Sequence, residues 1–359
     1  MRVTNFNAGP SALPVAVLRE VEEEILEFGD TGMSMIEMSH RSEAYEAVHA
    51  SARSLVRELA AVPDDFDVLF IQGGATMQFG MLPMNLLVGS SKGGYVDTGA
   101  WASKALADAA HHGDVYAAWS GRIGGYSRAP VASDLQLQDD TRYLHLTSNE
   151  TIGGLQCRTW PIVGVPLVAD MSSDLMSRPI PWELFDVVYG GVQKNLAPAG
   201  LALVVLRRSI LESTERDLAS YFRYDVHADA GSMYNTPPVF PIYVMEKVLR
   251  WIRDRGGLAG MAAAADERAG LLYSAIDSSG GFYVNPIEPT SRSNMNVVFR
   301  IGDHDLEPLF IAEAAERGLV GLKGHRSVGG VRASIYNAMP ISGVEALVDL
   351  MAEFRRTRV

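Results

Sequence analysis

The fold of this chain is decided by residues 185–206, which read FDVVYGGVQKNLAPAGLALVVL. Two apolar runs, Phe185–Tyr189 and Leu201–Leu206, are typical of buried strands, and a glycine-rich turn that contains Lys194 joins them. The turn is too short for a crossover helix, so we expect the second strand to run antiparallel to the first. Burial disfavours an ammonium group and lowers its pKa. The turn therefore predicts a lysine whose neutral amine can attack an aldehyde.

Similar apolar runs recur along the chain before this stretch. Strand-like runs lie near residues 67–71, 94–96, 115–119, 143–146 and 167–170. Helix-like segments fall between several of them, for example at 77–87 and 100–110. This alternation indicates a mostly parallel sheet with helices on both faces. We therefore predict an α/β fold.

The C-terminal part has a different pattern. After two long helices at 242–255 and 258–276 we expect a strand at 296–301, a helix at 306–317, a strand at 331–335 and a helix at 344–355. This mixture predicts a smaller α+β domain, which an extended N-terminal arm rich in Asn, Gly and Pro would join. We therefore divide the chain into a large domain at residues 15–257 and a small domain made of residues 1–14 and 258–359.

Composition limits the class of protein. The 359 residues are 47% hydrophobic and 21% charged, with a formal net charge of −12. Nucleic acids and anionic membranes require cationic surfaces, so neither is an expected partner. The one cysteine, Cys157, excludes an intrachain disulfide and a cysteine-rich metal site. Because no apolar run approaches the ~20 residues of a membrane span, we predict a soluble cytoplasmic protein with no metal.

Residues that can do chemistry follow several of the predicted strands. Gly73, Gly99, Thr151, Asp170 and Lys194 each lie just after one of them. In an open α/β sheet, the carboxyl ends of the parallel strands form the edge at which ligands bind. Pyridoxal 5′-phosphate requires a lysine that captures its aldehyde and a carboxylate that pairs with its ring nitrogen. Lys194 and Asp170 therefore predict a pyridoxal phosphate enzyme.

Three further positions fit the same site. The turn Gln72-Gly-Gly-Ala-Thr76 can direct backbone N–H groups at a cofactor phosphate, although a glycine pair alone more often makes an ordinary turn. Trp101 can stack on a pyridine ring, and its alternative is a place in the core. Thr151 can bond the phenolic oxygen of the ring, and its alternative is a helix cap. One shared site explains these positions better than a series of unrelated caps and turns.

Longer motifs match a known family. They are Asn5–Pro10, Met38–Arg41, Gly99–Trp101, Asn149–Gly154, Ala169–Asp174, Gly191–Gly200, Ser232–Pro238 and Gly324–Pro340, of which the last is highly specific. In these motifs the sequence resembles the phosphoserine aminotransferases, class V and fold-type I enzymes that depend on pyridoxal 5′-phosphate. The resemblance implies a transaminase of serine biosynthesis that interconverts O-phospho-L-serine plus 2-oxoglutarate with 3-phosphohydroxypyruvate plus L-glutamate. It leaves open a second substrate, the 4-phosphohydroxythreonine of vitamin B6 synthesis.

The resemblance also implies roles for the matching residues. Lys194 would hold the cofactor covalently and move the substrate proton, and Asp170 would pair with the ring nitrogen. The other cofactor-binding residues would be Ala75, Thr76, Trp101, Thr151 and Gln193. Asn235 and Thr236 would reach the cofactor of the other subunit of a homodimer. The substrate-binding residues would be His40, Arg41, His325, Arg326 and Arg332. Thr76 departs from one branch of the family, which has an arginine there.

Each substrate, whether a dicarboxylate or a phospho-acid, carries two anionic ends, and these require two cationic sites. Arg332 lies in a strand-like segment, whereas His325 and Arg326 lie in a glycine-flanked loop where a guanidinium can reach a phosphate. The alternative is that these arginines only solvate the surface. Three other functions stay open: an alanine–glyoxylate type aminotransferase, a cysteine desulfurase that uses Cys157, and a non-catalytic binding protein of the same fold.

Overall fold

The computed structural model describes residues 2–212 and 217–358. Its strands are β1 (Thr4–Asn5), β2 (Phe66–Gln72), β3 (Lys92–Asp97), β4 (Asp114–Ser120), β5 (Thr141–Thr147), β6 (Asn149–Glu150), β7 (Leu155–Gln156), β8 (Leu167–Asp170), β9 (Val187–Gly191), β10 (Leu201–Arg207), β11 (Tyr283–Val284), β12 (Asn296–Ile301), β13 (Leu319–Val320) and β14 (Val331–Ser334). Its α-helices are α1 (Val15–Glu24), α2 (Glu43–Ala60), α3 (Gly74–Leu86), α4 (Ala100–Ala109), α5 (Ser209–Glu212), α6 (Tyr224–Asp229), α7 (Val239–Arg253), α8 (Gly257–Asp277), α9 (Glu307–Glu316) and α10 (Ile341–Arg356).

Seven strands form the central sheet, in the order β2-β10-β9-β8-β5-β3-β4. Strand β10 is antiparallel to both of its neighbours, β2 and β9. All other neighbouring pairs of this sheet are parallel. The predicted α/β class, the mostly parallel sheet and the antiparallel direction of β10 are therefore confirmed. The short turn before β10 leaves room only for a direct reversal of the chain.

The central sheet separates two layers of helices, because successive side chains of a strand point to opposite faces. In β2, Val68 and Phe70 belong to a core cluster that includes residues of α2 and α7. The alternate residues Leu69 and Ile71 belong to a second cluster that includes residues of α3 and α4. Both faces of the sheet are thus covered, as the near-continuous apolar strands predict.

The C-terminal segment forms a smaller sheet of order β11-β12-β14. Residues of α8, α9 and α10 pack with this sheet in a separate apolar cluster that includes Phe299, Phe310 and Phe354. The N-terminal arm reaches the same part of the molecule, because β1 pairs in parallel with β13. Phe6, which directly follows β1, is fully buried in that cluster.

The chain turns after α1 and before α3. Helix α1 ends at Glu24, after which the chain reverses and the Phe28 amide donates to the Met33 carbonyl at 2.9 Å. Helix α3 begins at Gly74, before the expected residue 77, because the glycine pair adopts the left-handed conformations that the turn requires. Among the described residues, no helix has both the length and the apolar character of a membrane span.

Candidate active site

A cavity of about 280 Å³ lies at the carboxyl edge of the central sheet. Seven of the residues predicted to bind the cofactor line it: Ala75, Thr76, Trp101, Thr151, Asp170, Gln193 and Lys194. They lie at the ends of strands or in the turns and first helical turns that follow them. The parallel arrangement of the strands brings these distant segments together, as expected for an open α/β sheet.

Lys194 has a buried amine that is held by hydroxyl groups. Its Nζ donates to Thr151 Oγ1 at 2.7 Å and to Ser173 Oγ at 2.8 Å. In the described part of the chain, no carboxylate lies within ion-pair distance of this amine. Desolvation lowers the pKa of Lys194 to about 8. A pKa of about 8 leaves roughly a tenth of the molecules with a neutral amine at pH 7, far more than a lysine with the ordinary pKa of ~10.4 would have, and a neutral amine is nucleophilic.

Asp170 ends β8 and places a buried carboxylate in the same cavity. Its Oδ1 accepts hydrogen bonds from the Ser172 amide at 2.9 Å and from Ser172 Oγ at 2.5 Å. The Ser172 hydroxyl also accepts from the Gly191 amide at 3.0 Å, which ties β8 to β9. Burial raises the pKa of Asp170. A buried carboxylate requires a cationic or hydrogen-bonding partner, and a protonated ring nitrogen is such a partner.

The turn between β2 and α3 lies on the wall of the cavity and leads into an uncapped helix start. Gly73 and Gly74 have φ angles of 96° and 69°, and α3 starts without a side-chain cap. The first amides of a helix have no partner within the helix, so those of Ala75 and Thr76 can bind an anion. A Cβ atom built on Gly74 would meet no atom within 4 Å, so the turn leaves open space at this point.

Trp101 lies in the first turn of α4, on the wall of the cavity. Its ring centroid is 5.9 Å from Lys194 Nζ. The indole Nε1 is buried and has no hydrogen-bond partner in the described part of the chain. An unsatisfied buried donor is costly, and a bound molecule in the cavity can satisfy it.

Asn235 and Thr236 lie outside this cavity and contact the base of the β2–α3 turn instead. Gln72 Nε2 donates to the Thr236 carbonyl at 2.7 Å, and Asn235 Nδ2 donates to Gln72 Oε1 at 3.4 Å. Tyr221 OH donates to the same Gln72 oxygen at 3.2 Å. Within one chain, the two residues are therefore near the phosphate turn but do not enter its cavity.

Of the five predicted substrate residues, only Arg332 contacts a residue of the cavity. Its Nη1 donates to the Thr151 carbonyl at 3.4 Å, and its buried Nε has no partner among the described residues. Desolvation lowers the pKa of Arg332. The other four, His40, Arg41, His325 and Arg326, do not line the cavity within one chain. Arg41 and Arg326 are exposed, and His325 Nδ1 lies 2.7 Å from Ser327 Oγ.

Four residues with contacts at the site were assigned no role from the sequence. They are Ser172, which holds Asp170; Ser173, which holds Lys194; Glu150, which bonds the start of α4; and Gln72, which bonds Thr236. The two serines follow Asp170 after Met171, and Glu150 directly precedes Thr151. For these three residues, a position inside the matched motifs was the available signal.

The residues of the cavity provide the chemical groups that pyridoxal 5′-phosphate requires. It presents an amine that burial makes nucleophilic, a buried carboxylate opposite a possible ring nitrogen, an aromatic wall and uncapped amides for a phosphate. Lys194, Asp170, Trp101, Ala75 and Thr76 would hold the group through these features.

Comparisons with known proteins agree with this chemistry. The family model "Aminotransferase class-V" matches residues 3–347. The phosphoserine aminotransferase of Laribacter hongkongensis is 50% identical over 99% of this chain and 99% of that protein. The structure of a phosphoserine aminotransferase from Bacillus circulans subsp. alkalophilus is 48% identical, with a TM-score of 0.97 over 100% of this chain and 99% of that one. A PLP-bound phosphoserine aminotransferase from Trichomonas vaginalis is 36% identical, with a TM-score of 0.92 over 98% of this chain and 100% of that one.

Proposed function

Because this chain belongs to the class-V aminotransferases and, within them, to the phosphoserine aminotransferases, we propose that it interconverts O-phospho-L-serine plus 2-oxoglutarate with 3-phosphohydroxypyruvate plus L-glutamate. This is a reaction of serine biosynthesis, and its cofactor is pyridoxal 5′-phosphate. The observation that carries the proposal is the buried amine of Lys194, which two hydroxyls hold beside the buried carboxylate of Asp170.

The cofactor and the protein have separate tasks. When bound, pyridoxal 5′-phosphate supplies an aldehyde that captures amines and a ring that draws electrons from the substrate α-carbon. Lys194 Nζ would hold this aldehyde at rest, with loss of water, and once displaced by the substrate amine it would take the proton from the α-carbon as a general base. The hydroxyls of Thr151 and Ser173 orient Nζ. Asp170 keeps the ring nitrogen protonated, because its buried carboxylate is stabilised by a cation.

The remaining residues bind and orient the cofactor and the substrate. The amides of Ala75 and Thr76 bind the cofactor phosphate, Trp101 stacks on the ring, and Gln193 lines the same cavity. Arg332 binds the substrate carboxylate, supported by its partly buried guanidinium with an unpaired Nε. The second anionic end of the substrate binds to His40, Arg41, His325 and Arg326. In a chain of net charge −12, two segments that each pair a histidine with an arginine suit a dicarboxylate or a phospho-acid.

The working molecule is a homodimer in which Asn235 and Thr236 reach the cofactor of the other subunit. Support comes from their position outside their own cavity.

The small domain comprises residues 1–14 and 258–359, supported by the separate apolar cluster that Phe6 joins. A reducing cytoplasm is the compartment, supported by the free and buried thiol of Cys157.

The test is the near-ultraviolet and visible spectrum of the purified protein with pyridoxal 5′-phosphate, before and after O-phospho-L-serine is added. We expect a yellow band that O-phospho-L-serine bleaches and L-alanine does not. Lys194→Ala should lose the covalent band. The 4-phosphohydroxythreonine of vitamin B6 synthesis is run as a further substrate in the same assay.

Each rival predicts a different result. Bleaching by L-alanine in place of O-phospho-L-serine would support the alanine–glyoxylate type and overturn the proposed substrate. Conversion of L-cysteine to L-alanine, with its sulfur transferred to Cys157 as a persulfide, would support a desulfurase, although burial raises the pKa of Cys157 to about 12 and makes its thiol unreactive. No band with pyridoxal 5′-phosphate would overturn the catalytic proposal and favour a binding protein.

A further inference from the structure

Glu150 is a buried carboxylate to which the proposed reaction assigns no role. It ends the short strand β6, which pairs with β7, and it is 1% exposed. Its Oε1 accepts a hydrogen bond from the Ala102 amide at 2.8 Å, and its Oε2 accepts one from the Trp101 amide at 3.1 Å. These are first-turn amides of α4, which a helix leaves without internal partners.

Helix α4 has no other cap for these amides. Its N-cap residue is Gly99, which has no side chain to accept them. The space that a side chain would take is filled by the carboxylate, because a Cβ built on Gly99 would lie 2.8 Å from Glu150 Cδ. Glu150 therefore caps α4 from a segment that lies about fifty residues further along the chain.

The same segment also holds the catalytic lysine. Thr151, the next residue, accepts the hydrogen bond from Lys194 Nζ at 2.7 Å. The backbone of the segment is itself tied down, since the Gly154 amide donates to the Glu150 carbonyl at 2.8 Å. One short turn thus contacts Lys194 through Thr151 and the start of α4 through Glu150.

The carboxylate has no cationic partner within ion-pair distance in the described residues. Burial raises the pKa of Glu150 to about 7; the two amides and Lys194 act in the opposite direction, and Asp170 adds to the rise. A buried carboxylate is costly unless it is well bonded. Its two short bonds to α4 are the interactions that offset this cost.

We infer that Glu150 is a positioning residue of the site, whose carboxylate sets the place of the Trp101 ring on the cavity wall by holding the first turn of α4. The inference rests on the proposed function, because the ring position matters only if Trp101 stacks on a bound cofactor. Glu150 acts through Trp101 and need not touch the cofactor or the substrate.

The first test uses the cofactor-free protein. Glu150→Gln keeps the size of the side chain but leaves one oxygen to accept from two amides. Hydrogen exchange of the Trp101 and Ala102 amides should become faster by about tenfold or more. Glu246→Gln is the matched control, since Glu246 is a buried glutamate that bonds Ser51 and Arg250 far from α4. It should leave exchange in α4 unchanged.

The second test measures the dissociation constant of pyridoxal 5′-phosphate in a double-mutant cycle. Glu150→Gln should weaken binding roughly 3- to 30-fold in the wild-type background. In a Trp101→Ala background the same change should shift the constant by less than about twofold, because the residue through which Glu150 acts is gone. The unfolding midpoint of each variant is measured so that loss of fold is recognised.

The outcomes separate this inference from the proposed function. Unchanged exchange in α4, or an equal loss of affinity with and without Trp101, would overturn the positioning role. A wild-type protein that binds no pyridoxal 5′-phosphate would overturn the proposed function, and with it the role of the ring. The exchange measurement would still show whether Glu150 holds α4.

Discussion

At the scale of single residues, two buried lysines differ in what surrounds their amines. Lys194 Nζ bonds two hydroxyls, whereas Lys247 Nζ lies 2.7 Å from Glu20 and 2.8 Å from Glu24. An adjacent carboxylate stabilises an ammonium, and a hydroxyl does so much less. Burial therefore has different chemical results at the two positions: Lys194 becomes a reactive amine, whereas Lys247 Nζ is engaged by two carboxylates.

This contrast predicts the pH dependence of labelling in the cofactor-free protein. Below pH 8 the Lys194 ammonium predominates and is unreactive, and above it the free amine predominates, because its pKa is lowered to about 8. Acylation of Lys194, followed by mass spectrometry, should rise with pH around that midpoint. Lys247 is the control and should stay unlabelled while the protein is folded. A midpoint in the usual lysine range near ~10.4 would contradict the desolvation argument.

A second prediction concerns Arg326, which is exposed in the loop after β13. If Arg326 binds the distal anion of the substrate, Arg326→Ala should raise the KM for O-phospho-L-serine on the order of 10- to 1,000-fold, because a charged hydrogen bond is lost. The matched control is Arg19→Ala on the exposed side of α1, which should leave KM unchanged. Steady-state kinetics decides the matter, and an unaltered KM for Arg326→Ala would remove this residue from the site.

At the scale of elements, the turn between β2 and α3 shows how backbone conformation can form the proposed phosphate site. Gly73 has a φ of 96°, and its amide donates to the Gly200 carbonyl at 3.2 Å. The left-handed conformation places the uncapped start of α3 on the wall of the cavity. Because the proposed anion site consists of backbone groups, it would depend on the glycines more than on any side chain.

We therefore predict that Gly73→Ala weakens the binding of pyridoxal 5′-phosphate by about tenfold or more, since a Cβ strains this φ by ~1–2 kcal/mol and shifts the amides. The added Cβ would also lie 3.1 Å from Met77 Cβ. Gly89→Ala is the control, because Gly89 has a φ of 57°, is exposed and would meet no atom. It should lose similar stability with no loss of cofactor affinity. Equal affinities of the two variants by titration would speak against the amide cradle.

At the scale of the whole molecule, the cavity of one chain lacks most of the cations that its substrates require. Arg332 bonds the carbonyl of Thr151, a residue of the cavity wall, whereas Arg41, His325 and Arg326 do not line the cavity. Asn235 and Thr236 also remain outside, next to Gln72. A second copy of the chain is the proposed source of the missing cofactor contacts, which makes the dimer a condition for activity.

Subunit mixing tests this dependence. Homodimers of Lys194→Ala should be inactive, and homodimers of Asn235→Ala with Thr236→Ala should bind pyridoxal 5′-phosphate more weakly. In a mixed dimer of the two, one site combines an intact Lys194 with intact Asn235 and Thr236 from its neighbour. That dimer should recover up to about half of the activity of the wild-type protein, because one of its two sites is complete. Recovery no greater than the mean of the two homodimers would argue against sharing between subunits.

The sequence predicted the alternation of strands and helices, the antiparallel β10 and the set of turns at the carboxyl edge, with Lys194 and Asp170 among them. These features follow from local rules, since the period of apolar residues and the length of a turn are read within a few residues. The motifs of the family added the substrate and the cofactor roles.

The order of the strands and the partners of the buried polar groups depend on how the whole chain packs. Ser173 and Thr151 bond Lys194, and Glu150 bonds the amides of Trp101 and Ala102, across separations of more than twenty residues in each case. Such pairs form because packing excludes water and leaves each buried polar atom to find a partner in space. The lowered pKa of Lys194 could be foreseen from the burial of its turn. The hydroxyls that hold its amine could not, because no local pattern specifies them.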